Sequence, residues 1–407
     1  MRSPLSIYWL ACFAVVTASP LTAEKRQLDS GVYVTDISKC PSVAPRATPP
    51  TSVHDLRPDD FSVAMAVGDS ITAGAFAQGI NKENLLLNFV EFRGLSYAGG
   101  GDAGAITIPN LLKHYNSALV GGSKGVNPGI ELCFGPLCPI GSVGWNRPVD
   151  QLNAAQSGAL ASNLLHEVRD YLVPQVKAAG IATNRFKYLS FQIGSNDLCQ
   201  LCLAADALLG PGTQSDFEAN IRETLEYVRK NIRKLSHELS GVDRSIESIS
   251  LANTLVNLFG VFQVSEIYKL TLNQPYCQQL IPNVTHYNLE CTCALFSGEA
   301  GEFTRSRMDK LQGQYNVALQ KIVADYKAKN YKDFAVIWQP PSVPLGQYPI
   351  ESLSSLDCFH PSTATHQRIA AGLWNRLTLN ETARAASFKW ETTPEFRCLQ
   401  ADDRIKT

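Results

Sequence analysis

Beyond its amino terminus the sequence has no uninterrupted apolar run near the roughly eighteen residues a membrane-spanning helix needs. It has no excess of either charge. Lys+Arg number 36 against 37 Asp+Glu, for a formal net charge of −1, and no basic run is long enough for a phosphate or membrane-surface patch. A nucleic-acid partner is therefore not expected. Internal repeats are missing, and Ser70, within Gly68-Asp69-Ser70-Ile71-Thr72, does not stand in a Gly-x-Ser-x-Gly elbow. Cys199 and Cys202 form a Cys-x-x-Cys, but no second such pair or Cys/His pair stands at zinc-finger spacing. Gly99-Gly100-Gly101-Asp102 is followed by no lysine and lacks dinucleotide-fold spacing, which argues against a nucleotide cradle. His366 stands six residues after His360, yet no carboxylate or further histidine completes a metal site. Neither metal nor cofactor is expected. With a polar stretch from Asp402 to Thr407, no GPI-type tail is expected.

What the sequence does have begins with a leader. Arg2 precedes an apolar stretch from Leu5 to Val16, with small residues at Ala18 and Ala23. Residues 1–23 read as a secretory signal cut near 18–23, and Lys25-Arg26 as a second, dibasic processing site ending a propeptide at 26. The apolar run is short for a stable membrane anchor. A secreted, extracellular chain is expected, and a monomer. Of eleven cysteines, Cys12 lies in the leader and ten remain, an even number that suits disulfides in an oxidising compartment. Cys133–Cys138 and Cys199–Cys202 are the expected local pairs, with Cys277 bridging to Cys291 or Cys293. Asn283-Val-Thr285 and Asn380-Glu-Thr382 are candidate glycosylation sites.

Residues 24–54 are rich in Pro, Ser and Thr and carry Cys40, which predicts an extended arm tied down by a disulfide. Beyond it, strands are predicted at 61–67, 186–193, 246–251 and 334–338. Helices are predicted at 82–93, 109–119, 158–177, 216–239, 302–329 and 361–378, the last with Pro361 at its start. Residues 120–148, rich in glycine and proline, read as a long loop. Strands alternating with helices predict a single α/β domain over about 55–400, a three-layer α/β/α sandwich around a central parallel sheet. Ligands of such sheets bind at the carboxyl ends of the strands, so the turns after Val67, Ile193 and Trp338 should carry the chemistry.

The first turn is Gly68-Asp69-Ser70. A serine entering a helix from a strand end presents its hydroxyl at the active edge and its amide near a helix N-terminus, where negative charge is favoured. Read alone, Ser70 is equally a helix cap. The second turn, Gly194-Ser195-Asn196-Asp197, offers a side-chain amide to an oxyanion, or again a cap. Near the carboxyl end, Asp357-Cys358-Phe359-His360 puts a carboxylate within one turn of an imidazole, which can fix its tautomer and leave Nε2 as a base; read alone, it is more often a surface turn.

In this order the pieces resemble the GDSL lipases, or SGNH hydrolases, with the flavodoxin-like fold, and within them the phospholipase B branch. Gly68-Asp69-Ser70 matches the first block, with Ile71 for the usual Leu. Asn153-Ala-Ala-Gln-Ser157-Gly158 matches the second, Gly194 to Asp197 the third, and Asp357 with His360 the last. Arg93-Gly-Leu-Ser-Tyr-Ala-Gly-Gly-Gly-Asp102 adds phospholipase B-like context. The resemblance covers about 50–380. It implies Ser70 as nucleophile, His360 as base and then acid, and Asp357 as its orienter, with an oxyanion hole from the amides of Ser70 and Gly158 and the Asn196 side chain. Gly158 rests on the resemblance alone. The implied reaction is acyl transfer from phospholipid or lysophospholipid esters. An esterase of acylated carbohydrate and an inactive secreted binding protein are the alternatives. A Cys358–Cys398 disulfide is expected to stiffen the His360 loop.

Overall fold

The computed structural model describes residues 28–141, 143–202, 212–231, 251–280, 282–283 and 290–407. The leader, its cleavage sites and residues 246–250 of the predicted third strand lie outside these. So does the end, 232–239, of the predicted 216–239 helix.

Among the described residues, the short strand β1 (Tyr33–Val34) precedes four strands of one parallel sheet. These are β2 (Phe61–Gly68), β3 (Phe186–Gln192), β4 (Thr254–Phe259) and β5 (Phe334–Gln339), which pair in that order. Both faces are buried, so the strands read as near-continuous apolar runs. Register carries the period-two alternation across the sheet. Met65 lies beside Leu189, Leu189 beside Val256, and Val256 beside Val336, all in one core. One residue earlier, Ala64, Tyr188, Leu255 and Ala335 line the other. The first core is covered by Val168, Leu172 and Val176, by Phe217, Ile221 and Leu225 of the Gln214–Lys230 helix, and by Leu319 and Ile322 of the Gly298–Lys329 helix. The second is covered by Leu111 and Leu112 of the Ile108–Tyr115 helix and by Ile369 and Leu373 of the Thr363–Arg376 helix. The result is the α/β/α sandwich that the alternation predicts.

On its free side β2 is joined by irregular chain. Ala66 N–H donates to Leu152 O, Ala154 N–H to Ala66 O, and Gln156 N–H to Gly68 O at 3.0 Å. Residues 152–156 thus run along β2 and deliver Ser157 and Gly158 to its carboxyl end.

The helix predicted over 82–93 is not formed. Only a short turn, Leu85–Leu87, is present, and Glu91 then pairs with Ala75 and Asn127. Three asparagine side chains take the backbone groups a helix would need. Asn81 Oδ1 accepts from Asn84 N–H at 2.8 Å, Asn84 Oδ1 from Leu86 N–H, and Asn88 Oδ1 from Asn81 N–H. The third strand lies at Thr254–Phe259, beyond the predicted 246–251. Pro361 lies two residues before the first turn of the last helix, whose N-cap position is Ser362.

Five disulfides link the ten cysteines of the described residues, and Cys133–Cys138 is as expected. Cys199 and Cys202 do not pair with each other. Cys199 ends the Ser195–Cys199 helix and Cys202 lies in the turn after it; both face the same segment, where Cys199 meets Cys291 and Cys202 meets Cys293, with Cα atoms 4.6 and 5.3 Å apart. The expected Cys358–Cys398 bridge is not formed either. Cys398 follows β6 (Phe396–Arg397), which pairs antiparallel with β1, so the arm's Cys40 reaches it. Cys358 is taken by Cys277 instead of Cys277 joining Cys291 or Cys293.

Candidate active site

Gly68 ends β2 with φ at 150°, and a Cβ there would fall 2.2 Å from Gln192 O. Its N–H donates to Glu167 Oε2 at 2.9 Å. Asp69, not Ser70, caps the four-residue helix Ser70–Ala73, accepting Ile71 N–H on Oδ1 at 3.0 Å. That leaves the Ser70 hydroxyl unused by the helix. It donates to His360 Nε2 at 2.7 Å. On the other side of the ring, His360 Nδ1–H donates to Asp357 Oδ2. Asp357 Oδ1 accepts the backbone N–H groups of Phe359 at 3.1 Å and His360 at 3.2 Å, so its carboxylate is fixed by its own turn. Between them Cys358 holds φ at 51°, strained for a side-chain-bearing residue, and is tied to Cys277. Phe76 packs its ring edge against the imidazole, centroids 5.1 Å apart.

The second and third blocks meet each other. Asn196 Nδ2 donates to Ala159 O at 3.0 Å, and both Asp197 oxygens lie within 3.3 Å of Ala161 N. Asn153 Nδ2 donates to Thr72 O at 3.0 Å. Gly158 stands at φ 82°, half-buried. As the first helical residue, Ser70 has a backbone N–H with no acceptor within its helix.

A family model described as "GDSL-like Lipase/Acylhydrolase" matches residues 65–373. The chain belongs to this family. Curated relatives include "Phospholipase B1, membrane-associated" from Mus musculus, 29% identical over 374 residues, or 88% of this chain and 22% of the relative. The Rattus norvegicus protein of the same name is 29% identical over 348 residues, 82% of this chain and 21% of the relative. The Homo sapiens one is 26% identical over 349 residues, 83% and 21%. The chain thus spans about a fifth of the length of these relatives.

In this acylhydrolase, burial pulls the His360 imidazole down, but the Asp357 carboxylate outweighs it, aided by Glu290 and Asp69, and the net shift is upward. The carboxylates near Ser70 go the same way. Burial pushes Asp69 up to about 6 and Asp197 up to about 7, against the N–H groups each accepts. Burial also pushes Glu167 upward, against the Gly68 N–H it accepts.

Several residues of the site were not singled out from the sequence. Glu91 Oε1 accepts the Ser157 hydroxyl at 2.6 Å and Glu131 N–H at 3.1 Å. Its other oxygen meets buried Arg93 at 2.7 Å, which also meets Glu131 and Asp150 at 2.9 and 3.4 Å. This cluster holds the loop ahead of Gly158. The signal was a pair of opposite charges, Glu91-Phe-Arg93, inside an otherwise apolar stretch. Glu290 is a second acid at the histidine; one ligand atom each from Glu290, Asp357 and His360 lie within 4.8 Å of one another. Both imidazole nitrogens are already engaged by Ser70 and Asp357, so the trio does not offer a metal a free histidine lone pair. His366 is elsewhere, its Nδ1 accepting Tyr97 N–H at 3.3 Å, and burial lowers it to about 3, which keeps it neutral. Gly100 and Gly101 spend their N–H groups on Ser96 O and Ser123 O, which removes them from any phosphate cradle. Asn283 and Asn380 are exposed.

Proposed function

We propose that this protein is a secreted serine ester hydrolase that cleaves acyl esters of phospholipids or lysophospholipids through Ser70, His360 and Asp357. The observation that carries the reading is the unbroken relay from Ser70 Oγ through His360 to Asp357, with Asp69 relieving Ser70 of the capping role. Ser70 Oγ attacks the ester carbonyl and passes its proton to His360 Nε2, while Asp357 steadies the imidazolium. The oxyanion is received by the N–H groups of Ser70 and Gly158 and by the amide hydrogen of Asn196 not committed to Ala159. His360 returns the proton to the leaving alcohol, an acyl-enzyme remains, and water releases the acid by the same steps.

An apolar cavity favours a fatty acyl chain over a sugar. It is lined by Ile71 beside the nucleophile, by Phe359 and Pro361 flanking His360, and by Phe262, Val264 and Ile369. Ser195 and Thr365 are its polar residues. The names of the relatives point to the same substrate class. A leader at 1–23 followed by an arm, a single hydrolase domain over 55–400, and glycans at Asn283 and Asn380 complete the reading; five disulfides suit an oxidising compartment. A panel of phospholipid, lysophospholipid and acylated-carbohydrate esters, with Ser70→Ala as control, tests it. Release of fatty acid from the lipids by the wild type alone is expected. Turnover confined to acylated sugars would replace the substrate, and turnover surviving in Ser70→Ala would replace the mechanism.

A further inference from the structure

Two loops at the rim of the site expose large apolar side chains. In the first, the Leu85–Leu87 turn and Phe89 project outward, with Leu86 84% exposed. In the second, Leu132, Leu137, Ile140 and Val143 do the same, with Ile140 91% exposed. Isolated exposed leucines are ordinary, but a cluster around one opening is not. From 132 to 146 the sequence has no charged residue.

Both loops are fixed to the catalytic elements. The Phe89 ring meets the edge of Phe76 at 6.3 Å, and Phe76 in turn packs on His360. Leu132 pairs with Ser157, and its Cδ1 stands 3.1 Å from where a Cβ on Gly158 would lie. The loops share a base, since Glu91 pairs with Asn127 and accepts Glu131 N–H. Asparagine side chains hold the first turn, and the Cys133–Cys138 bridge closes the second.

We propose that these two loops insert into the surface of aggregated phospholipid and seat the Ser70 site over it. The occupant follows from continuity: the apolar rim surrounds the opening at which an amphiphilic ester is cut. Protruding apolar side chains suit a fluid apolar layer, which needs no matching groove. The inference deepens the ester-hydrolase reading and rests on it for the choice of partner.

The test uses the full chain as Ser70→Ala and large vesicles of diether phosphatidylcholine, which has no ester to cut. Sedimentation should show binding, and Leu86→Asp with Ile140→Asp should weaken it about tenfold or more, because each tip loses apolar burial and gains a charge. Leu137→Asp with Val143→Asp is a second, independent pair. With Ser70 intact, either pair should lower the ratio of turnover on vesicles to turnover on a soluble short-chain ester by a similar factor. A folding defect would lower both rates together and leave the ratio standing. Unchanged vesicle binding and an unchanged ratio overturn the docking surface while leaving the hydrolase reading intact. Vesicle binding that depends on the tips, in a protein that cuts no ester, upholds the surface and overturns the hydrolase reading.

Discussion

The serine side and the histidine side of the site are built by different means. On the serine side, the turn after β2 is held by hydrogen bonds to buried acids: Asp69 to Ile71 N–H, Glu167 to Gly68 N–H, Glu91 to Ser157. Asp69 follows β2 directly, while Glu167 and Glu91 reach the site from elements distant in sequence. On the histidine side the Asp357–His360 turn follows the last strand of the sheet and is clamped by a disulfide to Cys277, 81 residues away in sequence. The contrast teaches that a nucleophile at a helix start can be positioned by main-chain geometry and nearby acids. A base delivered from a long irregular loop needs a tether.

The largest effects should come from cutting the relay where the two sides meet. Ser70→Ala and His360→Ala should each lower kcat on an acyl ester by ~10³-fold or more, and the double variant should lose little further, because the pair acts as a unit. Additive losses would mean that the two sides work independently. Asp357→Asn should cost about 10²-fold or more and also move the pH profile. His360 must be neutral to take the Ser70 proton, so activity is lost as pH falls through its pKa. Asp357 raises that pKa, placing the acid limb of kcat/KM above that of an ordinary imidazole. Without the carboxylate, burial pulls the limb down. A limb that does not move would separate Asp357 from the base.

Next comes the tether. By loop-closure entropy, removing Cys277–Cys358 as a double serine variant should cost about 4.5 kcal/mol, against about 2 kcal/mol for the short Cys133–Cys138 loop. Thermal unfolding orders the two, and kcat should fall with the first. The serine side is sharpened by Ser157→Ala, which frees the loop ahead of Gly158 without exposing Arg93. A loss of about tenfold in kcat with little change in KM is expected. The smallest effect belongs to Asn380→Gln and Asn283→Gln. Each should remove one glycosidase-sensitive mass increment from secreted protein and leave turnover alone.

The same division decides what could be read from the sequence. Gly68-Asp69-Ser70 was legible because strand end, positive-φ glycine and cap lie within three residues. Asp357 and His360 were legible because one turn joins them. The strands of β2, β3 and β5 stood out as apolar runs. The false helix at 82–93 shows the limit of apolar periodicity, for Asn81, Asn84 and Asn88 outcompete it through side-chain hydrogen bonds. Disulfide partners were opaque for a different reason. Cys199 and Cys202 are neighbours in sequence, yet what pairs them is the segment their turn faces, and that is a property of the packed chain. Glu91 and Glu167 act on Ser157 and Gly68 across 66 and 99 residues, with no local pattern to announce it.

The central claim is that Ser70 is the nucleophile, and covalent trapping tests it most directly. The wild-type protein should take up one equivalent of a fluorophosphonate, with peptide mass mapping placing the adduct on Ser70. His360→Ala should label far more slowly, and Ser70→Ala not at all. An adduct on another residue, or undiminished labelling of Ser70→Ala, would contradict the account.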